Sequence, residues 1–163
     1  MPICTKCNNE SKRSRMEEID DKLICYSCLY QDSKPFELYP IGYIQNELER
    51  GQGFGVKGNK SNLSKIHLFN SQKPYLHNLD EEKYILVVYY LHKPRKIRSV
   101  FRRGLDGKKV GIFASRTPDR PSHIGISNVK LIKVEDTTLY VKNLDAIDGT
   151  PVLDIKLGEN SRW

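Results

Sequence analysis

Along most of the chain, apolar positions either alternate with polar ones or cluster in runs of strand length. Residues 84–91, YILVVYYL, form a continuous β-branched and aromatic run. It is too short for a good helix and reads as a central strand buried on both faces. Residues 63–69 alternate and read as a short strand, and residues 36–45 read as another. Residues 110–114 are expected to form a buried strand, with a further strand starting near residue 125. Residues 126–134 and 138–141 look like a hairpin around Glu135-Asp136-Thr137. A last strand, 152–155, follows the turn signal Asp148-Gly149-Thr150-Pro151. Residues 79–83 read as one helical turn or a loop. Residues 46–62, with four glycines and little apolar content, read as a long loop. A helical period is largely lacking after residue 33. Neither an internal repeat nor the Gly-rich strand–turn–helix of a dinucleotide-binding fold is present. The expected core is mostly β, an antiparallel barrel and not a doubly wound sheet.

Length and charge add partners to this picture. A chain of 163 residues is one ordinary domain with room for a small attachment. No apolar run approaches the roughly 20 residues that span a bilayer. The N-terminus lacks the basic and apolar regions of a secretory signal, so a cytoplasmic location is expected. The net charge of +7 is concentrated. Residues 1–35 hold six Lys/Arg against six Asp/Glu. Residues 92–120 hold ten Lys/Arg against Asp106 and Asp119, a local excess of +8. Such a patch is the expected footprint of a polyanion, with nucleic acid as the default partner. The alternative is the solvated face of a basic protein. The candidate contacts are Arg95, Lys96, Arg98, Arg102, Arg103, Lys108, Lys109 and Arg120. Within the patch, residues 94–109 read as a mobile loop.

All four cysteines lie near the N-terminus, as Cys4-x-x-Cys7 and Cys25-x-x-Cys28 with 17 residues between the pairs. This spacing is that of a structural zinc site. Two intervening residues let one tight knuckle aim both sulfurs at one ion, and two knuckles close a tetrahedron. Residues 1–33 are too few to hold themselves by a core, so metal binding would supply the folding free energy. Two disulfides or a redox pair are the alternatives. A cytosolic setting disfavours the first, and the lack of a βαβ pattern the second. Zinc against another metal stays open. Residues 31–35 read as a linker to a second domain, 36–163. The unit is neutral overall, so Lys6, Lys12, Arg13 and Arg15 are a weak signal for a nucleic-acid contact.

Two stretches carry the remaining chemistry. In residues 110–128, VGIFASRTPDRPSHIGISN, Pro118 and Pro121 stiffen a loop that presents Arg116 and Arg120. Residues 144–156, LDAIDGTPVLDIK, hold Asp145, Asp148 and Asp154 around the Asp-Gly turn. Taken singly, an ordinary strand connection explains the first equally well, and a tight turn before a strand is the better account of the second. Together, in this order and with Pro40-Ile41-Gly42 upstream, they resemble the TsaA/TrmO-like family of S-adenosylmethionine-dependent tRNA methyltransferases. That family's pattern runs VGVFATRSPxRPNPIG, then LDxxDGTPVxDIK. The resemblance covers about residues 38–157 and omits the cysteine unit.

The resemblance implies a non-Rossmann TsaA-like β-barrel that binds S-adenosyl-L-methionine, a tRNA substrate and a homodimer. It maps donor contacts onto His92, Lys93, Arg116, Ile126, Leu144, Asp145, Ala146 and Ile147. It implies methylation of the exocyclic amine of threonylcarbamoyladenosine beside the anticodon. Arg120 is expected to brace its loop or meet phosphate, and Asp148 and Asp154 to hold turn and strand. The arginine loop and the acidic turn are expected to converge on one donor pocket. No catalytic base is identified. Ser122-His123 stands where the family has Asn-Pro. The competing readings are a non-catalytic, zinc-containing RNA-binding module and a methyltransferase with a different substrate.

Overall fold

A computed structural model describes residues 1–47, 63–93 and 96–159. The loop expected at 46–62 therefore falls almost wholly outside the described residues, as does Arg95. The chain forms two compact units: Met1–Glu37 with Lys93–His123, and Leu38–His92 with Ile124–Trp163. The basic segment thus groups with the N-terminal residues.

The second unit is a closed antiparallel barrel of β3 (Gly42–Gln45), β4 (Leu63–Leu68), β5 (Tyr84–Tyr90), β8 (Ile124–Glu135), β9 (Thr138–Lys142) and β10 (Pro151–Leu157). The strand order is β10-β3-β4-β9-β8-β5, and β5 closes onto β10. The barrel is therefore as expected. Side chains alternate about each strand, so one set fills the interior. Ile44, Ile66, Ile85, Val87, Val129, Leu139, Val141, Leu144 and Val152 are fully buried there. β5 follows this alternation: Ile85, Val87 and Tyr89 are buried, while Tyr84, Leu86 and Val88 are half-buried. It is not a strand buried on both faces, because a barrel has a single inside. The hairpin of β8 and β9 turns at Asp136, which has φ 53°. The Asp148-Gly149 turn forms as expected, and Gly149 sits at φ +78°, where a side chain would be strained. Residues 36–40 are exposed and lie outside β3, so the strand expected from residue 36 is shorter. Short 3-10 turns occupy Asn70–Leu76 and Leu79–Glu81.

The first unit holds two small ribbons. β1 (Met16–Ile19) and β2 (Lys22–Cys25) pair around Asp20 and Asp21, at φ 51° and 60°. These are the left-handed positions of a two-residue hairpin turn, which Asp tolerates. A short helix α1 (Tyr26–Tyr30) follows. β6 (Val100–Arg102) pairs with β7 (Lys109–Gly111). Residues 94–109, expected to be a mobile loop, thus include a hairpin. The strand expected at 110–114 is also corrected. β7 ends at Gly111, and Ile112–Ala114 is a 3-10 turn that leaves Phe113 95% exposed. An apolar pentapeptide buries as a strand only if a sheet receives it, and among the described residues β7 pairs with β6 alone.

Candidate donor site, metal site and basic surface

The four cysteine sulfurs come together within 4.8 Å of one another. Cys4 and Cys28 Sγ are 3.9 Å apart, and Cys7 and Cys25 Sγ are 3.8 Å apart. These separations are far too long for disulfides. A tetrahedral zinc–thiolate centre with bonds near 2.3 Å has sulfur–sulfur edges of about 3.8 Å. The donor set fits such an ion. The backbone N–H groups of Cys25 and Lys6 point at Cys4 Sγ, at 3.3 and 3.4 Å. Chiefly through the first of these, the Cys4 thiol is lowered to about 6. The neighbouring sulfurs, Cys25 first, push Cys28 up to about 12. Four sulfurs this close resist common ionisation unless a cation sits among them. The residues buried around them are few, Met16 foremost, with Leu23 and Ile24 partly buried.

The acidic tip of the β1–β2 hairpin grips the basic segment. Asp20 N donates to Ile97 O at 2.9 Å, and Ile97, 2% exposed, bridges Ile19. The Asp20 carboxylate accepts from Ser99 N at 3.0 Å and Ser99 Oγ at 2.5 Å. These bonds hold Asp20 below its usual value. Asp21 pairs with Arg98 at 2.7 Å, and Lys96 lies 3.4 Å from Glu18. His123 Nε2 lies 3.2 Å from Glu17 Oε1. The cysteine unit thus consumes part of the positive charge that the sequence presents.

The remaining candidate cations divide by role. Arg103 pairs with Asp106 through Nε at 2.9 Å and Nη2 at 2.8 Å, and reaches Ala114 O at 2.8 Å. The pair lowers Asp106 to about 2. Arg120 braces its own loop: Nε donates to Thr117 O at 2.9 Å, and Nη2 donates to Ser115 O at 2.9 Å and Ile112 O at 3.3 Å. Arg102, Lys108, Lys109 and Arg116 are exposed.

In the barrel unit, one tyrosine organises the acidic turn. Tyr89 lies opposite Gly125 in the β5–β8 register. A Cβ on Gly125 would overlap Cε2 of the ring and lie 2.7 Å from Cζ. The ring therefore crosses the glycine and brings its hydroxyl to Asp145 O and Ser127 Oγ, each at 3.0 Å. Tyr89 has one proton, given to the carbonyl, so Ser127 donates to Tyr89. Burial raises Tyr89 above its ordinary value and keeps that proton in place. Asn46 Nδ2 donates to Ala146 O at 2.7 Å, and Thr150 Oγ1 to Ile147 O at 2.7 Å. Asp148 Oδ1 accepts from Asn46 N at 3.0 Å. Three successive carbonyls are thus pinned, and Leu144 and Ala146 turn into the core. Asp145 is exposed as a residue, yet desolvation raises its carboxyl above the ordinary value. Asp154 accepts from Ile155 N at 2.8 Å and meets Lys156 at 3.0 Å, a local role in β10.

Of the expected donor residues, His92, Ile126 and residues 144–147 belong to the barrel unit, while Lys93 and Arg116 belong to the other. Ile126 is 60% exposed on β8, next to Ser127. Sequence reasoning missed Tyr89, Asn46, Ser127 and Thr150. Tyr89 lay hidden in an apolar run, and Asn46 at the edge of a featureless loop. Thr150 was visible within the turn signal, but its acceptor was not.

Comparison with known proteins bears on the family and the fold. The model of the tRNA-methyltransferase O N-terminal domain matches residues 48–157. An Archaeoglobus fulgidus protein named S-adenosyl-L-methionine-binding protein is 32% identical over 120 residues, 73% of this chain and 86% of that protein. The Mus musculus tRNA (adenine(37)-N6)-methyltransferase is 39% identical over 126 residues, 72% of this chain but 29% of the enzyme. The crystal structure of TrmO from Pseudomonas aeruginosa superposes with a TM-score of 0.58 at 26% identity. That match covers 76% of this chain and 56% of the other. The chain thus spans nearly all of the archaeal relative, about half of the bacterial one and under a third of the mouse enzyme. By the extent of the domain match and these relatives, the chain belongs to the tRNA-methyltransferase O N-terminal domain family.

Proposed function

We propose that this protein is an S-adenosyl-L-methionine-dependent tRNA methyltransferase acting on the exocyclic N6 of an adenosine beside the anticodon, with threonylcarbamoyladenosine as the favoured base. The observation that carries the reading is the segment 144–147, whose carbonyls are pinned, which lies within the family match and which carries the Asp145 carboxylate. A sulfonium donor supplies an activated methyl group, so alignment is the main task left to the protein. Asp145 offers negative charge in a partly dehydrated setting, where it would oppose a cation more strongly than in water. His92, Lys93, Arg116, Ile126, Leu144, Ala146 and Ile147 complete the proposed donor-binding set. Fixing the carbonyls of residues 145–147 removes disorder that binding would otherwise have to overcome.

In this reading the four cysteines hold a structural zinc ion. The exposed cations Arg102, Lys108 and Lys109 track tRNA phosphates. The active form is a homodimer. Arg120 leaves the list of phosphate contacts, since its guanidinium already serves three carbonyls.

Two measurements test the reading. Calorimetry should show saturable S-adenosylmethionine binding by the zinc-loaded protein and a loss of at least tenfold in Arg116→Ala. Methyl transfer should be seen with tRNA carrying threonylcarbamoyladenosine and not with tRNA lacking it. Donor binding without transfer to either tRNA would point to another substrate. No donor binding at all would leave a non-catalytic RNA-binding module.

A further inference from the structure

Phe113 is the most exposed aromatic side chain among the described residues, at 95%. Its backbone is not that of a loose loop. Ile112 O accepts from Ser115 N at 3.1 Å, Ser115 Oγ at 2.7 Å and Arg120 Nη2 at 3.3 Å. Ala114 O accepts from Arg103 Nη1 at 2.8 Å. Ile112 N donates to Ser99 O at 3.2 Å, and Ser99 is itself held by the Asp20 carboxylate. A connected set of bonds therefore runs from the cysteine unit's hairpin tip to the turn that carries the ring. Covering such a ring would remove its apolar area from water, and the braced turn has already fixed its position.

The surroundings select the occupant. The ring follows directly on β7, whose Lys109 faces Arg102 across the β6–β7 ribbon. Arg102 and Lys109 are both exposed. Positive charge with one flat apolar surface matches a strand that is anionic along its backbone and aromatic at its bases. We propose that Phe113 is a base-stacking platform for an unpaired nucleotide of the RNA substrate, with Arg102 and Lys109 on the neighbouring phosphates. This rests on the tRNA reading above and assigns to it a base contact outside the donor site.

The test uses the full-length, zinc-loaded protein and a synthetic anticodon stem–loop RNA, with a fully paired RNA duplex as control. Phe113→Ala should weaken stem–loop binding by about 5- to 150-fold at fixed salt, the range for losing one stacked base. It should leave zinc content and the thermal transition unchanged, and should leave the salt slope of binding as it was. Lys109→Ala should instead lower that slope by about one phosphate's worth. The chain has a single tryptophan. Phe113→Trp in a Trp163→Phe background therefore gives a lone indole, which should be quenched by the stem–loop and not by the duplex. Unchanged affinity in Phe113→Ala, or an indole indifferent to the stem–loop, overturns the proposal. So does a change in self-association by sedimentation with RNA affinity intact, which would mean that a second copy covers the ring. Wild-type protein that transfers methyl groups yet ignores the stem–loop would refute the stacking role alone. Failure to bind either donor or RNA would refute the tRNA reading with it.

Discussion

Gly125→Ala places one methyl group where the ring of Tyr89 now lies. The added carbon would overlap Cε2 and lie 2.7 and 2.9 Å from Cζ and Cδ2. Tyr89 cannot swing aside freely, because it is 5% exposed and its hydroxyl is held by Ser127 and Asp145. Overpacking a filled core costs about 1–3 kcal/mol. Losing the two hydrogen bonds adds about 1 kcal/mol each. The variant should therefore be destabilised by about 3–5 kcal/mol in urea unfolding followed by circular dichroism. Tyr89→Phe removes only the hydroxyl and should cost about 1–3 kcal/mol. Tyr89→Ala removes the obstacle, so Gly125→Ala on that background should cost far less than on the wild type. The coupling in this double-mutant cycle should exceed about 1 kcal/mol. Both single variants should also weaken S-adenosylmethionine binding, because the carbonyl of residue 145 loses its anchor. Additive effects, or a Gly125→Ala variant within about 0.5 kcal/mol of wild type, would refute the claim that this glycine–tyrosine crossing positions the turn.

Three further outcomes are expected. Desolvation raises the folded pKa of Asp145 above the unfolded value of 3.8. The folded state then favours the protonated acid, so this group's contribution is greatest below 3.8 and is lost as pH rises through its folded value. Asp145→Asn should raise thermal stability at neutral pH while weakening donor binding, and unfolding curves from pH 3 to 7 should lose part of their slope. Chelation, or Cys28→Ser, should reduce zinc from about one ion per chain to none and open residues 1–37 to protease, while the barrel keeps its β-sheet spectrum. Structural zinc supplies about 10–16 kcal/mol in small domains of this kind, far more than the few buried side chains around the sulfurs can replace. Ile97→Ala removes a buried side chain at the hairpin tip and should cost about 2–5 kcal/mol locally. Hydrogen exchange should rise at residues 96–99 and 112–115 while zinc content is unchanged.

Much of the barrel was legible because a strand's two faces alternate in the sequence itself. β4, β5, β8, β9 and β10 all fall where apolar alternation, β-branched runs and the Asp-Gly turn put them. The four-cysteine cluster was legible for a related reason, since two short knuckles leave little freedom in where their sulfurs point. Residues 110–114 show where this logic stops. Val110, Ile112 and Phe113 look like a buried strand, but burial needs a receiving surface, and the hydrogen bonds of Arg103 and Arg120 turn this backbone outward instead. Residues 94–109 likewise suggested a repelling loop. The acids that neutralise Lys96 and Arg98 lie some 75 positions earlier in the chain.

The sequence alone therefore determined the β-rich core, the four-cysteine cluster, the concentration of positive charge and the motifs that define the family, since each depends on spacing along the chain. Only the tertiary structure decided which acidic partners Lys96, Arg98 and Arg103 meet. It also decided that Tyr89 holds the acidic turn, through contacts separated by 38 and 56 positions. Those relations depend on strand register and chain reversal, and no local pattern of side chains encodes them.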